Sequence, residues 1–257
     1  MVPPVDLGLK GTAAIVGGAS SGMGLAIAQA LAAEGCGVTM LARTRERLDQ
    51  AAKDVPGAIT VAGDVRDQAA IEQAVQRTVG ERGRLDIVVN NAGGPPPGTF
   101  ESTPADAWAE AFELSLNSAV RLTRLALPHL KESGRGRIIN ITSWSVREPI
   151  PNLMLSNAIR PGVVGWAKTL AQEIGPEGIT VNTIAPGKID TPRARELWQH
   201  QPDPQAARER DLAAIPARRM GDPAEVGATV AFLCSTHAGY ITGTVLPIDG
   251  GALRGIW

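Results

Sequence analysis

Gly18, Gly22 and Gly24 stand between an apolar run, Ala13-Ala14-Ile15-Val16, and a stretch whose apolar residues Leu25, Ile27, Ala28 and Leu31 share one side of a helix. That order reads as a strand, a glycine-rich turn and a helix. Such a turn sets backbone N–H groups and the positive end of a helix against a phosphate. Without a Cβ, glycine lets the backbone turn tightly and approach the ligand. The spacing Gly-x3-Gly-x-Gly differs from the Gly-x-Gly-x2-Gly of the commonest dinucleotide fingerprint, so a turn that serves close packing alone is the competing reading.

The elements that must position this turn follow a regular alternation. Val38 to Ala42, Ile59 to Ala62, Leu85 to Val89, Arg137 to Ile141, Ile179 to Ile184 and Thr244 to Ile248 read as further strands. Between them, Glu46 to Lys53, Gln68 to Val79, Pro104 to Lys131, Leu153 to Ile174 and Glu225 to Cys234 read as helices. Gly94-Pro95-Pro96-Pro97-Gly98 reads as a loop. This alternation predicts an α/β, doubly wound Rossmann-type fold: a seven-stranded, mainly parallel sheet with helices on both faces. No linker or repeat divides residues 1–257, which read as one dinucleotide-binding domain with a weakly patterned insertion at about 188–221. In such sheets ligands sit outside the C-terminal strand ends.

Composition narrows the function. The chain of 257 residues is 44% hydrophobic and carries a formal net charge of −1, which gives no reason to expect nucleic acid or an anionic membrane as a partner. Cys36 and Cys234 lack metal or redox spacing and read as buried thiols of a reducing compartment. The start MVPPVDLGLKG is no signal peptide, and no run approaches the roughly 18 apolar residues of a membrane span. A soluble, cytoplasmic protein without metal is expected.

Several motifs together resemble the short-chain dehydrogenase/reductase family over nearly the whole chain. They are the glycine turn, Gly63-Asp64-Val65, Asn90-Asn91-Ala92-Gly93, Asn117, Ile141-Thr142-Ser143, Pro186-Gly187 with Thr191, and Asp249-Gly250-Gly251. Gly17 stands where the family has its first Thr, a small departure. The resemblance implies roles by position. Gly18, Ser20, Ser21, Gly22, Met23 and Gly24 would hold a pyrophosphate. Asp64 and Val65 would meet the adenine, and Asn90 would lie along the ribose. Ile189 and Thr191 would hold the nicotinamide carboxamide, and Ala92, Gly93, Pro186 and Gly187 would also border the cofactor. The competing readings are turn-capping for Asp64 and helix-capping for Thr191. An acidic residue closing the second strand usually binds the ribose 2′-OH. Here Ala42 and Arg43 stand at that place, and a guanidinium suits a 2′-phosphate. NADP(H) is therefore favoured over NAD(H), against the reading of Arg43 as a solvated charge.

The catalytic pattern of the family breaks in this chain. Ser143 matches its Ser and Asn117 its Asn, but Ser156 and Arg160 stand at the Tyr and Lys positions. The single tyrosine, Tyr240, lies before the last strand and reads as structural. A phenol with a pKa of about 10, lowered by a neighbouring ammonium, is a competent proton donor; an aliphatic hydroxyl is a far weaker acid, and Arg stays protonated. Ser156 and Arg160 share one helical face, so the pair still converges on one place. Pro161 follows, implying either a later helix start or a kink after Arg160.

Three readings follow. The first is an oxidoreductase on a carbonyl or alcohol, in which Ser143, Ser156 and Arg160 stabilise an oxyanion and water or Lys188 carries the proton. The second is a lyase- or isomerase-like enzyme in which Arg160 holds an anion. The third is a non-catalytic nucleotide-binding partner or sensor. The insertion's arginines, among them Arg193, Arg195 and Arg219, suit an anionic or acyl-linked substrate or a mixed-charge solvated face. Trp144, Arg147, Trp166 and Trp198 are candidate pocket or packing residues. By resemblance, the two long helices and the tail Ala252 to Trp257 would build a homodimer or homotetramer.

Overall fold

The run Ala13–Gly17 is wholly buried and forms the strand β1, from which the chain winds outward in both directions. In this computed structural model, which describes residues 5–199 and 202–256, β2 (Gly37–Ala42) and β3 (Ile59–Ala62) lie on one side of β1. On the other side lie β4 (Ile87–Asn90), β5 (Arg137–Ile141), β6 (Thr180–Pro186) and β7 (Val245–Ile248). The order is β3-β2-β1-β4-β5-β6-β7, and every neighbouring pair is parallel. The strand sequence reverses direction between β1 and β4, where Val16 faces Val89. The crevice outside that point is where a ligand is expected.

Helices cover both faces. On one, α1 (Gly22–Ala33) and α9 (Pro223–Cys234) bury Ile27, Leu31, Val226 and Val230 against the sheet. On the other, α3 (Gln68–Arg82), α5 (Ser118–Ser133) and α6 (Met154–Ile174) bury Ile71, Leu122, Ala126 and Ala167. Residues 188–221 carry α7 (Pro192–Gln199) and α8 (Pro204–Ala214) between β6 and α9. The short α2 (Arg45–Ala52) joins β2 to β3. Cys36 and Cys234 are buried free thiols, and burial raises both pKa values, that of Cys36 to about 11. Neither is a nucleophile at neutral pH.

One helix departs from the sequence reading. The expected single helix from Pro104 to Lys131 is α4 (Ala105–Phe112), a π-helical turn over Glu113–Asn117, and then α5. Ser118 Oγ donates to the Leu114 carbonyl at 2.6 Å at the exit of that turn. The expected helix from Leu153 to Ile174 is met by α6 within one residue, and of the two readings of Pro161 the later helix start is not the one found: α6 begins at Met154 and continues through Pro161 to Ile174. Proline cannot donate to the carbonyl of Asn157, four residues back. The Asn157 side chain instead spans the Ile150 backbone, accepting from its N–H at 3.1 Å and donating to its carbonyl at 2.8 Å.

One buried clamp fixes the N-terminal edge of the sheet centre. The Asp86 carboxylate accepts from Ala13 N at 2.8 Å and from Arg84 Nε and Nη2 at 2.8 and 2.6 Å. Asp86→Ala orphans the buried Ala13 N–H, so chemical denaturation should show a loss of about 2 kcal/mol.

Candidate active site

Because β1 ends at Gly17 and α1 begins at Gly22, four residues turn the chain through the crevice. Gly18 has φ +59°, a left-handed conformation that favours glycine. A Cβ on Gly24 would lie 2.2 Å from the Gly18 carbonyl, so turn and helix touch through bare backbone. Asn91 Nδ2 donates to the Gly17 carbonyl at 2.9 Å and pins the end of β4 to this turn. Ser21 precedes α1 without making a capping bond, and no acidic residue occupies the first helical turn. The first N–H groups of α1 thus have no side-chain acceptor, which is what an anion requires. Ser20 and Met23 are partly exposed on the same turn. A cradle that side chains would fill, with N–H groups left over, fits a pyrophosphate.

The flanking residues are mixed. Arg43 is exposed just past β2. The Asp64 carboxylate is already engaged: it accepts from Arg66 N at 2.8 Å and from the Arg66 guanidinium at 3.1 and 2.9 Å, which holds its pKa below the ordinary carboxylate value. The turn-capping role is therefore present. So is the helix-capping role of Thr191, whose Oγ1 accepts from Ala194 N at 3.2 Å while its methyl group faces Gly22. Pro186 ends β6, Gly187 N donates to the Ile248 carbonyl, and Ile189 is buried at 4% exposure.

Behind the turn, a cavity is lined by Gly17, Val65, Asn90, Ala92, Gly93 and Arg160, with Ser115 and Asn140 beside them. Asn90 donates through Nδ2 to Thr123 Oγ1 at 3.0 Å and to Asn140 Oδ1 at 2.8 Å. Four buried polar atoms on the lining residues have no partner: Asn90 Oδ1, Ser115 Oγ, Asn140 Nδ2 and Arg160 Nε. Buried polar groups are almost always bonded, so four orphans around one cavity mark it as built for a polar ligand.

Arg160 is the exceptional member. Its Nη1 reaches the Ile141 carbonyl at 3.4 Å, and among the described residues no carboxylate lies within ion-pair distance. Burial lowers its pKa to about 10, so it stays a cation at neutral pH. Ser156 is 7% exposed, and its Oγ lies 3.3 Å from Ser145 Oγ. Ser145 N in turn donates to Ser143 Oγ at 3.1 Å. The structure therefore gathers Ser143 and Ser156 around Ser145, a residue not singled out from the sequence, while Arg160 lines the cavity.

Asn117 requires a correction. Its Nδ2 donates to both Glu113 carboxylate oxygens, at 2.8 and 2.9 Å, and it does not line the cavity. Ser115 lines the cavity instead, on the same helical side as Ser118, Ala119 and Leu122. Arg121 joins Glu113 at 3.1 Å and the Arg66 carbonyl at 2.8 Å, linking this turn to the Asp64 loop.

Lys188 is not a free proton carrier: it pairs with Asp211 at 3.0 Å, and Trp198 Nε1 donates to the same carboxylate oxygen at 2.8 Å. Arg195 pairs with Asp190, Arg193 with Glu196 and Arg219 with Glu225, so the mixed-charge face of the insertion is largely self-compensated. The tryptophans do not form one pocket wall; Trp166 packs on the core under α6, and Trp198 belongs to the Asp211 cluster. Tyr240 is 102% exposed on the approach to β7, so it serves no packing role within the chain. Ile256 is 84% exposed, and Trp257 lies outside the described residues. Among the described residues no metal-ligand cluster occurs, and no helix is long and apolar enough to cross a membrane.

Residues 18–252 match the family described as enoyl-(acyl carrier protein) reductase. A 3-oxoacyl-[acyl-carrier-protein] reductase FabG of Vibrio cholerae serotype O1 is 38% identical over 95% of this chain and 98% of its own length. The chain belongs to the short-chain dehydrogenase/reductase family. This dehydrogenase/reductase is also 37% identical to an L-fucose dehydrogenase of Bos taurus, over 95% of the chain and 90% of the relative. Its backbone superposes with a TM-score of 0.92 on the L-sorbose reductase of Gluconobacter frateurii complexed with NADPH and L-sorbose, at 32% identity, covering 98% of this chain and all of that one. The chain is thus an oxidoreductase of this family.

A partly buried cation without an acidic partner carries some desolvation cost, screened where the side chain reaches solvent. Burial lowers its folded-state pKa to about 10, so that cost is present at every pH below that value. Arg160→Met should therefore stabilise the protein slightly, by about 1 kcal/mol, equally across roughly pH 6–9, as read by denaturant midpoints.

Proposed function

We propose that this protein is an NADP(H)-dependent oxidoreductase that interconverts a carbonyl and an alcohol, and that it delivers the proton without a phenol–ammonium pair. The observation that carries this reading is the glycine turn, with its free helix N-terminus, opening onto a cavity of unpaired polar groups at the sheet's switch point. The L-sorbose reductase complexed with NADPH supports the cofactor. Gly18, Ser20, Ser21, Gly22, Met23 and Gly24 hold the pyrophosphate, and Arg43 holds the 2′-phosphate. Asp64 and Val65 border the adenine, and Asn90, Ala92 and Gly93 the ribose. Ile189 and Thr191 hold the carboxamide, with Pro186 and Gly187 leading into them.

When bound, the nicotinamide supplies or accepts the hydride. The chain's own residues polarise the carbonyl and manage the proton. Ser143 Oγ uses a lone pair on Ser145 N, which leaves its O–H free to donate to a developing oxyanion. Ser145 and Ser156 extend the hydroxyl cluster behind it. None of these is acidic near neutrality, so the proton comes from solvent through hydroxyls. Arg160 supplies a fixed positive charge and no titrating step. Asn117 is assigned no catalytic part; Ser115 takes the cavity position. The chain is read as one dinucleotide-binding domain in which α7 and α8 cover the substrate. A cytoplasmic homodimer or homotetramer completes the proposal, supported by the exposed apolar residues Phe112, Phe232, Leu246 and Ile256.

Fluorescence titration of the full-length protein tests the cofactor. Arg43→Ala should weaken NADPH roughly 10–100-fold and leave NADH unchanged, since it removes one charge-assisted contact. Tighter binding of NADH than NADPH by the wild type would overturn the preference. The pH profile tests the proton. The cavity lining holds no carboxyl, imidazole, thiol or ammonium group, and its one ionisable side chain, Arg160, stays charged, so kcat/KM should be flat across about pH 6–9. A profile governed by an apparent pKa near 7 would speak against it.

A further inference from the structure

We infer that Arg121 is a positioning residue for the adenine end of the cofactor, holding the loop of residues 64–66 in its binding shape before the ligand arrives. This rests on the cofactor reading above and adds a residue that the reading does not use.

The loop has little burial of its own to fix it. Asp64 and Val65 are half-buried, and Arg66 is exposed. Its side chains close the loop on itself: the Arg66 N–H and guanidinium both donate to the Asp64 carboxylate. What the rest of the protein grips is the Arg66 carbonyl. Arg121 Nη1 donates to it at 2.8 Å, across 55 positions of sequence. Among the described residues no other hydrogen bond joins this loop to α5.

Arg121 is itself held. Its Nη2 donates to Glu113 Oε2 at 3.1 Å, and the Glu113 carboxylate also accepts from Asn117 Nδ2 at 2.8 and 2.9 Å. Glu113, Asn117 and Arg121 stand four residues apart and meet in one row, from the π-helical turn into α5. The row ends on the loop. The Arg121 side chain is only 23% exposed, which limits the competition of water for its bonds. A planar guanidinium suits this place because two of its nitrogens reach a carbonyl and a carboxylate at once; an ammonium lacks that fork. Val65 lines the cavity from the loop, and Ser118, Ala119 and Leu122 line it from α5. Arg121 therefore ties two walls of the cofactor cleft together. A loop already ordered in its bound shape removes an ordering cost from binding, and the difference shows as affinity. The Asn117 amide acts in this row by bracing Glu113.

Calorimetric titration of the full-length protein with adenosine 2′,5′-bisphosphate, the adenine half of NADP, tests this. Arg121→Met should weaken the bisphosphate and NADPH alike by about 5–10-fold, as expected for the loss of about one hydrogen bond, with Arg121→Lys intermediate. Reduced nicotinamide mononucleotide, which lacks the adenine half, should bind wild type and Arg121→Met within about 2-fold of each other. Equal losses for the two halves would mean general damage to the cleft and would overturn the inference. A second measurement tests the row itself. Glu113→Gln should weaken the bisphosphate by about 2–4-fold alone and add less than about 2-fold to Arg121→Met, because Glu113 acts through Arg121. Effects that multiply would overturn the inference as well. A wild type that binds neither NADPH nor the bisphosphate removes the cofactor reading and this one with it. Tight wild-type binding that Arg121→Met leaves untouched removes this one alone.

Discussion

The contact between Gly24 and the carbonyl of Gly18 governs the geometry of everything around it. With only 2.2 Å available to a Cβ, α1 lies directly on the turn that precedes it, and its N-terminus faces the crevice between β1 and β4. Asn91 reinforces the seam by bonding the last carbonyl of β1. Gly17 belongs to the same arrangement. Its departure from the family's Thr coincides with a place where a Cβ would stand 2.7 Å from the Asn91 carbonyl, so the substitution and the tight seam accompany each other. The helix end, the turn and the β4 loop form one rigid anion-facing surface.

Against that surface stands an uncompensated charge. A cation drawn partly out of water and left without an acidic partner gives up hydration for little in return. Arg160 is so placed, half-buried at a cavity that also leaves three neutral polar atoms unbonded. Elsewhere the same chain pairs its charges with care. Asp86 is saturated by Arg84 and Ala13, and Lys188, Arg193, Arg195 and Arg219 of the insertion each meet an acidic partner. That contrast sets the cavity apart as a place where ligand rather than protein completes the bonding.

Much of this was legible in the sequence, for definite reasons. Each strand is a short apolar run bounded by turn residues, so β1, β2, β3 and β5 could be placed nearly to the residue. The glycine turn and the residues of the Asn90 loop were readable because backbone geometry there demands particular residue types. What escaped was whatever depended on helical phase. Nothing in Glu113 to Asn117 announces a π-helical turn, and residue type alone does not say that Ser115 rather than Asn117 lines the cavity. Ser145 escaped likewise: its role comes from a 3₁₀ turn, Trp144–Val146, that stacks three hydroxyl residues distant in spacing. At Pro161 residue type leaves a later helix start and a kink both open, and only the structure shows α6 running from Met154 through it to Ile174.

The Asn157 amide, binding both polar groups of the Ile150 backbone, has a mechanical consequence. It mimics a strand partner and fastens the stretch after β5 onto the first turns of α6. That stretch and that helix carry Ser143, Ser145, Ser156 and Arg160, so one side-chain amide ties together the two segments on which all four stand. The insertion has a tie of its own kind: Lys188, ahead of α7, and Trp198, within it, share the carboxylate of Asp211 in α8.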